Sequence, residues 1–329
     1  MAVRLLPAGI VAICLTVGVQ YSPSALADPY PSRPITIVVP FPPGGSLDPL
    51  TRIVAERMKA SLGQPVVVEN VSGAGGSLGV ARAARAAPDG YTLSAGNSTS
   101  HVGAGAVYPA SYDVLSDFVP IARLTDLPML LVASNNVPAR NVRELIGWLK
   151  QHPDRASAAT IGAGSPANLC LVNFQNRTHT RFQLVPYRGG ALAAQDVIGG
   201  QVDLMCGEGM NLLPHVLAGR VNALAVMSES RWFAAPDLPT IAEAGVPGLS
   251  IRFWSGLWAP KGTPSDIVAK LNAVVRGALT DPAARQRLAN LGNEIPPPEL
   301  LTPDALAAFH RTEIEKWWPI IKAANIKAE

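Results

Sequence analysis

The sequence predicts an α/β protein of two lobes, each a mainly parallel sheet flanked by helices, and three observations carry that reading. Short β-branched runs alternate with Gly/Pro/Ser turns and amphipathic stretches, the pattern of βα units whose parallel sheet is covered on both faces. The alternation occurs twice in tandem, the second set beginning near residue 129. Finally, 329 residues at 48% hydrophobic and 16% charged can bury two cores, and they exclude disorder, collagen and coiled coil.

The first set opens with a fully apolar run at 35–39, then a turn at 40–46 and a helix from about 48 to 62 with Leu50, Val54, Met58 and Leu62 on one face. Gly63 stops that helix. A strand at 66–68 follows, then a Gly-rich loop, a helix around 81–87, the turn Pro88-Asp89-Gly90 and a strand at 91–94. In the second set, strands are predicted at 129–133, 158–161, 182–186, 202–206 and 223–227. Between them lie helices at 142–150 and 166–176, one through Val197 stopped by Gly199-Gly200, and one through Leu217 stopped by Gly219. Thr263-Pro264, Asp281-Pro282 and Thr302-Pro303 each place a capping residue before a first-turn proline, so three capped helices close the chain.

The first 27 residues follow different rules. Arg4, an apolar run over 5–19 and Ala25-Leu26-Ala27 before Asp28 make a secretory signal peptide, with cleavage expected after Ala27. The run is shorter than the ~20 residues of a spanning helix, and no later segment reaches that length. A net charge of +3 is far from the footprint of a nucleic-acid binder. No metal site is expected, because His101, His152, His179, His215 and His310 are scattered without Cys or Glu at ligand spacing. Beyond the leader only Cys170 and Cys206 remain; they can pair in an oxidising compartment, but the expectation is two separate buried thiols.

The candidate chemistry lies in strand-to-helix loops. Phe41-Pro42-Pro43-Gly44-Gly45-Ser46-Leu47-Asp48 offers backbone N–H groups and a helix N-terminus to an anion, with a plain βα turn as the competing account. Asp48 is expected to cap the helix, since a carboxylate would repel the anion. Ile161-Gly162-Ala163-Gly164-Ser165-Pro166 mirrors that loop in the second set, so two helix N-termini can face one cleft and hold a carboxylate with neutral donors. Tyr187 and Arg188 end a neighbouring strand and offer a hydroxyl and a charge to a second carboxylate, although Arg188 fits a solvated loop equally well.

A Gly-rich loop at 73–79 fails the G-x-G-x-x-G spacing and is followed by no acidic strand end, so a nicotinamide cofactor is not expected. Its Gly75-Gly76-Ser77-Leu78-Gly79 does match G-x-S-x-G. That makes a secreted serine hydrolase using Ser77, with Asp266 and His310, the enzyme alternative, although residues 70–76 separate Ser77 from the strand an elbow requires.

Motifs spread over the chain resemble the tripartite tricarboxylate transporter receptors, also called Bug proteins. They run in order from Tyr30-Pro31-Ser32-Arg33-Pro34-Ile35 and Val38-Val39-Pro40-Phe41-Pro42-Pro43-Gly44-Gly45 with Asp48 and Arg52, through Pro88-Asp89-Gly90-Tyr91-Thr92-Leu93 and Val185-Pro186-Tyr187-Arg188-Gly189. Gly199-Gly200-Gln201-Val202-Asp203, Trp254-Ser255-Gly256-Leu257 and Ala259-Pro260-Lys261-Gly262-Thr263-Pro264 continue the series. The resemblance implies a periplasmic binding protein of type II-like fold that closes on a small carboxylate and presents it to a membrane permease. It places the ligand carboxylate between the loops carrying Phe41, Pro43, Gly44, Gly45, Ser46, Leu47 and Asp48, and Ala163, Gly164, Ser165, Pro166 and Asn168. Asn97, Ser98, Thr99, Tyr187 and Gly207 would line the cleft. The sequence departs from the family pattern at Asn168, where His is common, and at Cys206-Gly207-Glu208, where an aromatic residue and Asp are usual. Glu208 can favour a ligand bearing a cationic group.

The expected organisation is a leader over 1–27, one lobe over 28–128 with 254–329, and a second over 129–253, joined by crossovers near 127–131 and 253–259. The expected product is a monomeric receptor without a cofactor, binding an organic acid, aromatic acid or amino acid and no nucleic acid. A ligand sensor for a membrane signalling protein would share the same fold and site.

Overall fold

Alternating apolar and turn segments condense into one mixed sheet in the computed structural model, which describes residues 29–109, 111–187 and 189–327. The leader, with its cleavage site, and Arg188 lie outside the described residues. β1 (Ile35–Val39), β2 (Val66–Asn70) and β3 (Thr92–Asn97) pair in parallel in the order β2-β1-β3, with α1 (Leu47–Leu62) and α2 (Ser77–Ala84) as their crossovers. Leu50, Val54 and Met58 are buried under α1 and Leu62 partly so, as the helical periodicity requires. Gly63 ends α1 in the left-handed conformation at φ 68°.

The second set contributes β5 (Ser157–Ile161), β6 (Gln183–Tyr187) and β7 (Leu204–Glu208), with β5 parallel to both neighbours. α5 (Pro166–Thr178), α6 (Gly190–Ile198) and α7 (Gly209–Leu217) follow these strands in turn. One long strand joins the halves. β4 (Phe118–Ser134) pairs antiparallel with β9 (Arg252–Pro260) through residues 118–128, then with β7 and β8 (Val221–Val226) through 129–134. The full path is β2-β1-β3-β9-β4-β7-β5-β6, with β8 beside β4.

Periodicity predicted only the end of β4 and read β9 as a crossover. Pro120, Arg123, Asp126 and Pro128 punctuate β4 like a loop, and two register shifts absorb the irregularity. Arg123 and Asp126 are nevertheless buried, because Arg123 Nε donates to Asp126 Oδ1 at 2.9 Å and Arg252 Nη1 reaches Asp126 Oδ2 at 3.3 Å. The Arg123 guanidinium also lies 3.7 Å from the ring centre of Phe309 in α10 (Pro303–Ala323).

Two further expectations are corrected. Cys170 and Cys206 are disulfide-bonded: α5 packs over β7 and brings their Cα atoms to 6.3 Å, so both are buried and paired. Thr263 does not cap α8 (Ser265–Thr280), because its hydroxyl donates to the Pro260 carbonyl and Pro264 occupies the cap position. Asp281 and Thr302 do cap α9 (Pro282–Asn290) and α10.

His101 and His310 lie in the core beneath this sheet. His101 stacks on Trp258 with ring centres 4.0 Å apart, and His310 Nε2 donates to the His101 carbonyl at 2.6 Å. Burial drives both imidazoles toward the neutral form, His310 down to about 4 from 6.5.

Two outcomes follow for stability. Replacing Cys170 and Cys206 together by alanine is expected to cost about 3–4 kcal/mol in denaturant titration, since the bond closes a separation of 36 residues. His310 is depressed in the fold, so its contribution is complete above pH 6.5 and is lost as pH falls toward 4. Wild type should therefore lose about 3 kcal/mol more than His310→Gln between those limits, and equal losses in the two proteins would contradict neutral burial of the imidazole.

Candidate functional site

The ends of β1, β3, β5 and β7 meet where β4 and β9 pass between the sheet halves, and a cavity of about 440 Å³ opens there. Its walls include Phe41 through Leu47 on one side and Ser165, Pro166 and Ala167 on the other, with Met129 and Phe253 from the joining strands. A larger groove of about 660 Å³ runs beside α9, but Asp281 already caps the one helix N-terminus it meets. The smaller cavity is the better anion site.

The first loop is shaped by Asp48, whose expected capping role is corrected. Ser46 is the cap residue of α1 and makes no side-chain capping bond. Asp48 instead draws the loop together: its Oδ2 accepts from the Gly44 N–H at 3.1 Å, and its Oδ1 from Arg52 Nε and Asn70 Nδ2, both at 3.1 Å. Asn70 Nδ2 also donates to the Phe41 carbonyl at 2.9 Å. Burial opposes ionisation of Asp48, but the bonds from Arg52, Gly44 and Asn70 outweigh it and hold the carboxyl below the usual carboxylate range. Gly44 sits at φ 82°, a conformation a side chain strains, whereas a Cβ on Gly45 would meet only the Pro42 carbonyl at 3.6 Å.

Ser165 caps α5 by accepting from the Asn168 N–H at 3.2 Å, with Pro166 at the first helical position. Gly164, at φ 71°, packs against Gly103 from the other half of the sheet. A Cβ on Gly103 would lie 2.1 Å from the Gly164 carbonyl oxygen, so this approach requires glycine. Asn97 Oδ1 accepts from the N–H groups of Thr99 and Ser100 at 3.0 Å each, which turns the chain after β3 and leaves Asn97 and Thr99 on the cavity wall.

Other expected site residues stand apart from the wall. Asp48, Ser98, Ala163, Gly164 and Asn168 lie behind it, and the buried Asn168 Oδ1 and Ser98 Oγ have no hydrogen-bond partner. The Tyr187 hydroxyl donates to Asp196 Oδ2 at 2.6 Å; burial, then this bond and the Asp196 charge, push it up to about 12. Gly207 and Glu208 line the cavity.

Sequence reasoning did not single out Met129, Ala167, Ala191, Asn211 or Phe253, and it quoted Ile161, Gly189 and Gly190 only as parts of candidate loops. Gly189-Gly190 repeats the strand–glycine–helix pattern of the other loops and was within reach. Met129 and Phe253 carry no local signal, because only the antiparallel crossing of β4 and β9 brings them here.

First-turn or cap residues of four helices, α1, α5, α6 and α7, thus border one cavity. No side chain caps α1, α6 or α7, so apart from the Asp48 N–H, which donates to the Gly45 carbonyl at 3.1 Å, their first-turn N–H groups are open to a ligand. Among the described wall residues there is no Lys, Arg or His, and Glu208 is the one ionisable group. Such a wall suits an anion bound by neutral donors. The hydrolase constellation is not assembled: Ser77 Oγ is buried without a hydrogen-bond partner, and His310 is committed to the His101 carbonyl.

A cleft of this kind between two sheet halves is the architecture of a two-lobed solute-binding protein. Residues 50–326 match the tripartite tricarboxylate transporter family receptor, and the chain belongs to that family. Among solved structures it is similar to MatC from Rhodopseudomonas palustris with bound malate, at 39% identity and TM-score 0.80 over 89% of this chain and 100% of the other. It is also similar to the periplasmic binding protein BugD, at 37% identity and TM-score 0.80 over 91% and 100%. R. palustris Rpa4515 with adipate aligns at 33% identity and TM-score 0.82 over 90% and 99%. The family is one of solute-binding receptors, and its Bug members are periplasmic.

Gly45→Val tests the first loop. The substitution has room in the backbone and projects into the cavity, so the melting temperature should change little while calorimetric affinity for a bound carboxylate falls at least tenfold.

Proposed function

We propose that this chain is a periplasmic receptor that captures a small carboxylate between two lobes and delivers it to the membrane subunits of a tripartite tricarboxylate transporter. The observation that carries the reading is the meeting of four helix N-termini on a cavity with no described cation. A carboxylate satisfies their free N–H groups without an ion pair. Relatives bound to malate and adipate support an organic acid as the ligand class.

In this reading the lobes comprise 28–128 with 254–329, and 129–253. β4, which pairs with strands of both sheet halves, and the chain entering β9 act as the hinge. The closed form is the state the permease recognises, and the Gly103–Gly164 contact supports a tight seam between the lobes once ligand is inside. The leader over 1–27 directs export. The cycle is capture and release by a monomer, with no bond broken and no cofactor. Ser46, Leu47, Thr99, Ser165 and Ala167 are the groups we assign to the carboxylate.

The test is a thermal-shift screen of the exported form against mono-, di- and tricarboxylates, aromatic acids and amino acids. Ligand at a hundred times its dissociation constant stabilises by about 2.7 kcal/mol, a clear rise in melting temperature. Hits confined to carboxylates support the reading, and a uniformly flat response from folded protein counts against it.

A further inference from the structure

Glu208 is the one ionisable side chain on the described cavity wall. It occupies the cap position of α7 yet makes no capping bond, and its side chain is partly exposed into the cavity. Asn211 Nδ2 donates to its Oε2 at 3.3 Å, and Ser46 of the α1 loop borders the same cavity. The other described acidic groups on the surrounding elements are committed elsewhere, and Arg188, next to wall residue Gly189, lies outside the described residues. Asp48 pairs with Arg52, Asp196 with the Tyr187 hydroxyl, and Asp126 with Arg123 and Arg252. His215 lies near the far end of α7, and Met129, Phe253 and Ser165, which border the cavity from β4, β9 and the α5 loop, carry no charge.

Resting on the carboxylate reading above, a captured ligand anion shares about 440 Å³ with this carboxyl and with no described cation between them. Two carboxylates in one dehydrated site do not both stay ionised. The ligand anion is held by N–H donors, so the other carboxyl is the one that yields. We propose that Glu208 is a specificity-determining residue that binds one proton from solvent as the cleft closes, so that a carboxylate is captured as an anion plus a proton. The protonated acid then donates a hydrogen bond to ligand oxygen, where the ionised form would repel it.

Burial already pushes the empty-cleft carboxyl up to about 7, with the Ser46 hydroxyl only partly offsetting it. A neighbouring anion pushes it higher, which fixes the sign. Affinity is level below pH 7 and falls as pH rises above it, by up to about tenfold per unit until the liganded value is passed. Simple ligand carboxyls ionise well below this window and add no slope of their own.

The experiment is calorimetry with malate and adipate between pH 6 and 9, in two buffers of different ionisation enthalpy, on wild type and Glu208→Gln. Expected are uptake approaching one proton near pH 8 for wild type, none for Glu208→Gln, and a pH-independent affinity in the variant. At pH 9 the variant should bind at least tenfold more tightly than wild type, a gain that a merely structural role cannot give. Equal wild-type affinity at pH 6 and 9 without proton uptake overturns this inference while leaving the carboxylate reading intact. Proton release on binding overturns it too, since it marks an ionised Glu208 facing a cationic group. Failure of both probes to bind folded protein at pH 6 counts against the carboxylate reading, and this inference falls with it.

Discussion

The antiparallel pairing of β4 with β9 is the constraint on which the rest of the structure depends. β4 crosses the boundary between the sheet halves while β9 ties its first part to β3, so their register sets where the ends of β1, β3, β5 and β7 stand relative to one another. The pair is secured by Asp126, buried between Arg123 and Arg252, and by the stacking of Arg123 on Phe309. Such a cluster is costly to desolvate, and removing one partner from a buried pair typically costs about 3–5 kcal/mol. Its chief consequence is geometric: it holds an irregular, proline-punctuated strand in one register where hydrophobic patterning alone would not.

With that frame in place, the cleft needs no cationic side chain to attract an anion. Several weak positive ends act together, each helix terminus contributing roughly 0.3–1 kcal/mol, or more when shielded from water. A backbone donor also has no rotamer entropy to lose on binding, unlike an arginine or lysine. The loops are held in shape for this purpose by side chains in and behind the wall. Asp48, Asn70 and Asn97 spend their oxygens and nitrogens on loop backbone, so the wall N–H groups keep their orientation before a ligand arrives.

The parts of the fold governed by local chemistry were legible in the sequence. Apolar runs gave β1, β2, β3, β5, β6, β7 and β8, glycine stops ended α1, α6 and α7, and Asp281 and Thr302 marked their helices correctly. The illegible parts depend on contacts distant in sequence. The first part of β4 looked like a loop because its polar residues find their partners through tertiary contacts with β9, α10 and the 293–294 segment, and with each other. The two cysteines read as ordinary core residues because nothing in their spacing reports that α5 lies over β7. At the site, the strand-to-helix loops could be read as anion-binding turns, whereas Asn211 and Phe253 reach the cavity only through tertiary packing. Asp48 shows the subtler limit: its role was assigned to the nearest helix end, and the structure spends it on shaping the loop instead.

Helix capping differs between most of the helices that border the cleft and several that do not. α4 (Val142–Gln151), α9 and α10 contribute no residue to the cavity wall, and Asn141, Asp281 and Thr302 cap them with side chains. α1, α6 and α7 face the cavity and lack such caps. A missing side-chain cap usually costs about 1 kcal/mol, and an incoming acceptor at α1, α6 or α7 can recover part of it. Stability withheld from the empty cleft becomes binding energy when ligand enters, so the uncapped helices and the capture of an anion are one design seen in two states.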